Sequence, residues 1–268
     1  PFTSWTRSEL DLADPASWPA EISSGDALRR YRAVVNAAAF TAVDAAESTE
    51  GRAAAWAVNA TGVGALAAAC ARAGTTLVHF STDYVFDGAL PLGSAYAPED
   101  PVAPLSVYGQ SKAAGETAVR ACPRHYVIRT SWVIGQGKNF VATMADLARR
   151  GVDPAVVADQ HGRLTAAADL AEGALHLVDS GAPYGTYHLT GSGEPCTWAE
   201  IARWVFEELG ADPERVRPVG TAEYTAGKVG IAPRPTNSCL DTTSLEATGC
   251  SPRDSRAVVR SVLSTTHD

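Results

Sequence analysis

The chain has 268 residues, 46% of them hydrophobic and 19% charged, the balance of an ordinary globular protein with room for one broad core or two unequal lobes. Its formal net charge of −8 excludes nonspecific nucleic-acid binding, which needs a basic face, and leaves room for a small anion held by a few local arginines. The opening PFTSWTRSELDLAD has neither a basic n-region nor an apolar core, and no unbroken apolar run approaches about 18 residues, so no membrane span is expected and the cytoplasm is the expected location.

Apolar runs alternate with helical patterns along the chain, the signature of βαβ units around a parallel sheet. SELDLAD (8–14), a long gap and VVNAAA (34–39) read as the end of a second strand, its loop and a third strand. No first strand or glycine-rich turn precedes them, so the chain is expected to begin mid-fold. YRAVVNAAA (31–39) reads as a buried strand, residues 51–74 as an alanine-rich helix ended by Gly74, and TTLVHFSTD (75–83) as the next strand. A helix containing Tyr108 leads into a strand at RHYVIRTSW (124–132); helices follow at 138–151 and 165–181, and a strand at 185–193. CTWAEIARWVFEELG (196–210) is amphipathic, with Thr197 as N-cap and Gly210 as its stop. Beyond residue 210, proline and glycine become frequent and periodicity fades, as in a lobe of loops and short helices.

The expected fold is therefore α/β, a Rossmann-like doubly wound parallel sheet with a smaller C-terminal lobe. The division falls at 1–133 for the sheet domain and 134–268 for the lobe, with strands near 155–158 and 185–190 expected to return to the main sheet. GVGALA, Gly62 to Ala67, mimics the G-x-G-x-x-A of a dinucleotide-binding turn. It sits inside a helical pattern rather than at a strand-to-helix turn, so its glycines are expected to serve helix packing. The five cysteines, Cys70, Cys122, Cys196, Cys239 and Cys250, are scattered without a C-x-x-C pair, so neither a disulfide framework nor a zinc site is expected, and no metal.

In SVYGQSKAAGE (106–116), Tyr108 and Lys112 fall one helical turn apart on one face. A free phenol has a pKa near 10; an adjacent ammonium favours the phenolate by up to about 4 kcal/mol at an effective dielectric of 20. That would make Tyr108 a usable general acid or base. LVHFSTDYVFDG (77–88) ends an apolar strand with Ser81 and Thr82, at the carboxyl edge where open α/β sheets bind ligands. A hydroxyl there can bond a substrate carbonyl and the alkoxide that develops from it, or simply cap a turn.

VVNAAAFTAVDAAE (34–47), VNATGVGALAAAC (58–70), FSTDYVFDG (80–88), PLSVYGQSKAAGE (104–116) and IRTSWVIGQGKNF (128–140) resemble, in order and spacing, the extended short-chain dehydrogenase/reductases, and more narrowly the dTDP-4-dehydrorhamnose reductases. ADQHGRLT (158–165), GTYHLTGSG (185–193) and APRPTNSCLDT (232–242) continue the match, which runs from Ser8 onward. The resemblance implies NADPH- or NADH-dependent reduction of the 4-keto group of a nucleotide-activated 6-deoxyhexose, giving dTDP-L-rhamnose, by a chain that needs no metal and takes a nucleotide sugar as its partner; a homodimer is compatible with it. It makes Thr82, Tyr108 and Lys112 a catalytic triad. It places Asn36, Ala37, Ala38 and Ala39 beneath the cofactor, Asp11 and Leu12 beside its adenine, Thr130 and Ser131 near the nicotinamide, and Asp83 and Trp132 near the sugar. Asn59 matches a position that supports a water relay to the lysine and reads equally well as a helix-packing polar residue; Trp132 reads alternatively as a core aromatic. Asn139 and Phe140 open a helix whose free N–H groups suit a diphosphate, and Arg234, between two prolines, is a candidate phosphate clamp. Arg7 is a candidate for a 2′-phosphate, which leaves NADPH against NADH open. Arg163–Leu164, where an aliphatic–proline pair is commoner in the family, leaves the keto-sugar open, with a streptose-type reductase as the nearest alternative. A non-catalytic relative, the regulatory subunit of methionine adenosyltransferase, belongs to the same resemblance and is the alternative of a different class.

Overall fold

The computed structural model describes residues 2–265. Four strands, β1 (Ala33–Asn36), β2 (Thr76–Thr82), β3 (His125–Thr130) and, later in the chain, Gly185–His188, form one parallel sheet in that order. Leu77, Val78, Val127 and Ile128 are buried completely, as expected of parallel strands covered by helices on both faces. The register aligns Asn36 with His79 and Thr82 with Thr130. The carboxyl ends of the three strands therefore lie side by side.

The segment Ala155–Val157 (β4) does not join this sheet. It pairs with Arg217–Val219 in a separate two-stranded parallel ladder. The far edge of β3 is taken by Gly185–His188 (β5), and β4 pairs with the proline-rich segment, here β6. A second hydrophobic cluster lies around these elements, with Val141 and Met144 from helix Phe140–Arg149, Ile201, Val205 and Phe206 from helix Trp198–Glu208, and Val258 and Val259 from helix Ser255–Thr265. Thr197 caps the second of these through a reciprocal capping box with Glu200.

Helix α1 runs from Thr49 to Ala73, with a π-helical stretch at Ala57–Gly62. Its 25 residues are long and apolar enough, by length and composition, to cross a bilayer, which corrects the reading that no segment comes near that length. Its apolar residues, Val63, Leu66, Ala67, Ala69 and Cys70, are covered by Leu12, Trp18, Ile22 and Leu28. The glycine pair that mimics a dinucleotide turn is helical. A Cβ at Gly62 would fall 2.0 Å from the Leu12 carbonyl oxygen, so the glycine admits the 8–14 segment onto the helix. Gly62→Ala is expected to cost about 1–3 kcal/mol of stability through that clash, read as a lower urea midpoint at unchanged slope. An unaltered midpoint would mean that the two segments separate freely.

Candidate active site

Helix α2 (Val107–Val119) begins against the turn that follows β2. Ser106 caps it by accepting from Gly109 N–H at 3.1 Å, and a Cβ at Gly109 would lie 2.2 Å from the Tyr84 carbonyl oxygen. Glycine is what lets the first turn of α2 rest on the Asp83–Val85 turn. Tyr108 is thereby set edge-on to the Tyr84 ring, with centroids 5.7 Å apart, and within reach of the Thr82 hydroxyl.

The electrostatics differ from the sequence expectation. Burial, and then the nearby Asp83 carboxylate, push the Tyr108 phenol up to about 12, with the Thr82 hydroxyl opposing them. Lys112 does not act on the phenol. Its fully buried amino nitrogen donates to the Phe80 carbonyl oxygen at 2.6 Å and lies 3.3 Å from His79 Nε2. Burial brings Lys112 down to about 8, with Glu116 opposing. The cause is geometric, because Nζ turns down toward β2 rather than across the helix face.

Asp83 is buried. Its Oδ1 accepts from Thr82 Oγ1 at 2.9 Å, while Oδ2 makes no hydrogen bond among the described residues. Burial raises its carboxyl to about 6, with Ser238 and Thr82 opposing. A raised folded-state pKa means that ionisation costs stability. Below the unfolded value of 3.8 both states are protonated and nothing is lost; the cost grows between there and about 6 and is constant above, on the order of 3 kcal/mol. Asp83→Asn is therefore expected to raise Tm by about 5–10 °C at pH 7–8, with the gain vanishing near pH 4. A Tm difference independent of pH would show that Asp83 is not buried in ionised form.

Other expected site residues divide into two groups. Asn36 Oδ1 accepts from Ala38 N–H at 3.1 Å, and Nδ2 faces His79 Nδ1 at 3.0 Å; Ala37 and Ala38 are exposed just beyond. Ser81 Oγ and Thr130 Oγ1 are buried at the ends of β2 and β3 without a hydrogen-bond partner among the described residues. Ser131 donates to the Arg163 carbonyl oxygen at 3.1 Å. Trp132 is the one non-glycine among the described residues with positive φ, 46°, a strained conformation of the kind stored at functional sites. Its ring stacks on Trp198 at 4.1 Å.

The second group is otherwise engaged. Asn59 donates both amide hydrogens, to the Phe40 carbonyl oxygen and Ser111 Oγ, and accepts from Phe40 N–H. It thus pins the loop after β1 to α1, and no bond joins it to Lys112. Leu12 is buried against Gly62, and Asp11 is bonded to Ala13 N–H and to exposed Arg7. Asn139 is itself the cap of helix Phe140–Arg149, accepting from Ala142 N–H at 2.9 Å. Arg234 pairs with Asp44, which holds that carboxyl below its usual range.

Arg234 and Phe140 line a cavity of about 730 Å³ together with Asp44, Trp198, Tyr224 and Lys228. The last four were not singled out from sequence. Asp44 lies within the quoted VDAAE stretch, and Trp198 follows a recognisable N-cap, but nothing local marks either as facing a cavity. Nothing local in the sequence marks His79 beyond its place in an apolar strand.

Four likenesses bear on this site. The family model described as "RmlD substrate binding domain" matches residues 1–267. The dTDP-4-dehydrorhamnose reductase of Mycobacterium tuberculosis (strain CDC 1551 / Oshkosh) is 46% identical over 254 residues, covering 92% of this chain and 79% of that protein. Crystal structures of the dTDP-4-dehydrorhamnose reductases of Clostridium acetobutylicum and, in complex with NADP, of Bacillus anthracis superpose with TM-scores of 0.86 and 0.85, at 34% and 32% identity, over 98% and 97% of this chain and 89% and 88% of theirs. A family model matching residues 1–267 and a relative 46% identical over 92% of the chain mean that the chain belongs to the RmlD-type dTDP-4-dehydrorhamnose reductase family.

Proposed function

We propose that the protein is an NAD(P)H-dependent oxidoreductase that reduces the 4-keto group of dTDP-4-dehydro-L-rhamnose to give dTDP-L-rhamnose. The observation that carries this reading is the Tyr108 phenol, half-buried and kept protonated beside Thr82 at the carboxyl end of β2.

The residues at this edge fit a nicotinamide nucleotide. Small side chains beyond Asn36, the hydroxyls of Ser81 and Thr130, and a hydrogen of the Lys112 amino group beyond the one given to Phe80 offer it space and donors. Asn36 to Ala39, Lys112, Thr130 and Ser131 would hold it, and when bound it supplies the hydride. Tyr108 supplies the proton from Oη to the sugar O4. In the reducing direction an acid must be loaded, and a phenol at about 12 is loaded throughout the neutral range. The developing alkoxide, comparable in basicity to hydroxide, whose conjugate acid has a pKa of about 15.7, still takes the proton downhill. Thr82, whose one hydrogen goes to Asp83 Oδ1, orients Tyr108. In the 730 Å³ cavity, aromatic rings suit the nucleoside, and Arg234 and Lys228 suit the diphosphate. The free cysteines fit the reducing cytoplasm, the proposed location.

The test is isotopic. NADPH carrying deuterium at C4, incubated with the protein and dTDP-4-dehydro-L-rhamnose, should give dTDP-L-rhamnose deuterated at sugar C4 by NMR. No labelled product from folded protein would reject the reading. Faster labelling of another dTDP-4-keto sugar would move the assignment to that substrate.

A further inference from the structure

His79 lies in the middle of the sheet, completely buried, and both of its ring nitrogens face nitrogen atoms. Nδ1 is 3.0 Å from Asn36 Nδ2, and Nε2 is 3.3 Å from Lys112 Nζ. The Asn36 amide is oriented by its oxygen, which accepts from Ala38 N–H, so the side presented to the ring is the NH₂ donor. Nδ1 must then accept. A neutral imidazole has one N–H, which is left on Nε2, aimed at Lys112. An ammonium has three hydrogens and no lone pair, whereas a neutral amine can accept. Lys112 already gives one hydrogen to the Phe80 carbonyl oxygen. Every partner in this triad is satisfied only when Lys112 is the free amine.

With Lys112 protonated, Nε2 must be the acceptor, and the single ring hydrogen belongs on Nδ1. The Asn36 amide must then turn over so that Oδ1 receives it, which takes Oδ1 away from Ala38 N–H. The groups around the ring allow this exchange and no second proton. β1 contributes Asn36 and β3 contributes Val127 in register. α2 contributes Lys112, with Glu116 a turn further on, bound to Arg129 and Arg120. Burial and the Lys112 charge hold the imidazole well below its ordinary pKa.

We propose that His79 is a positioning residue that couples the proton on Lys112 to the end of β1, through the tautomer of its ring and the orientation of the Asn36 amide. One proton enters from solvent at Nζ; the ring keeps one hydrogen throughout and only its location changes. The strand end from Asn36 to Ala39, assigned above to the cofactor, thereby senses the charge of the lysine. Burial places that charge change near pH 8. The inference deepens the proposed function, yet its test uses neither cofactor nor turnover, so either can fail alone.

The test is NMR of the full chain labelled with ¹⁵N-histidine, with the six histidines correlated to their ring protons from about pH 6 to pH 10, a range that spans the lysine transition. The His79 signal is assigned by its absence in His79→Gln. The expected result is the Nε2–H tautomer at high pH giving way to Nδ1–H at lower pH, with the Ala38 amide resonance moving at the same midpoint. In Lys112→Met, both signals should hold one position at every pH. A His79 tautomer that ignores pH in the native chain overturns the proposal, as does a change that persists in Lys112→Met.

Discussion

The Tyr108→Phe variant is expected to reduce dTDP-4-dehydro-L-rhamnose about 10²- to 10⁴-fold more slowly than the native chain, the usual contribution of a positioned general acid. The substitution removes one oxygen. The ring keeps its edge contact with Tyr84 and its packing against the cluster of Ala46, Ala55 and Val107, so fold and binding should be preserved. The loss should therefore appear in kcat with KM little changed, the signature of an interaction made in the transition state. Because burial pushes the phenol up to about 12, its protonated form persists across the neutral range. No fall in kcat from the tyrosine itself is expected as pH rises from 6 to 9. An unaltered kcat in the variant would assign the proton to another group.

The second large effect is on stability. Arg129 and Glu116 are buried almost completely, at 1% and 0% side-chain exposure, and meet as a two-bonded pair, Nε to Oε1 at 2.9 Å and Nη2 to Oε2 at 2.8 Å. Arg129 also donates to the Pro98 carbonyl oxygen and lies over the Phe86 ring. Arg129→Leu would leave a buried carboxylate with only the half-exposed Arg120 as partner. Breaking one side of such a pair costs about 3–5 kcal/mol. Urea unfolding at neutral pH should show that loss, and adding Glu116→Leu should restore part of it, because the stranded charge is then gone. A loss below about 1 kcal/mol in Arg129→Leu would mean that Glu116 is relieved by water or by Arg120. Glu116 lies one turn beyond Lys112 on α2, so the pair also anchors the helix that carries the site.

The sheet was legible because burial on both faces leaves continuous apolar runs such as TLVHF and HYVIR. The capping of Trp198–Glu208 by Thr197 was legible because a cap and its reciprocal glutamate are local chemistry. The placing of β4 was not legible, because three residues of strand carry no record of their partner, which lies some sixty residues later. At the site, spacing on one helix brought Tyr108 and Lys112 to one face but could not reveal that Nζ is drawn to the Phe80 carbonyl oxygen. The phenol is governed by burial and Asp83 instead, and both are tertiary effects. The role of Asn59 was undecidable from sequence for the same reason: its partners, Phe40 and Ser111, lie 19 and 52 residues away. The pairing of Arg234 with Asp44 spans 190 residues.

The most direct measurement of the central claim is a single-turnover experiment in which the protein, loaded with NADPH, is mixed with dTDP-4-dehydro-L-rhamnose and the reduced-nicotinamide absorbance is followed. The account predicts loss of one reduced nicotinamide for each sugar converted, at a rate that collapses in Tyr108→Phe. Protein that binds both NADPH and the sugar nucleotide, yet leaves the absorbance unchanged, would contradict it.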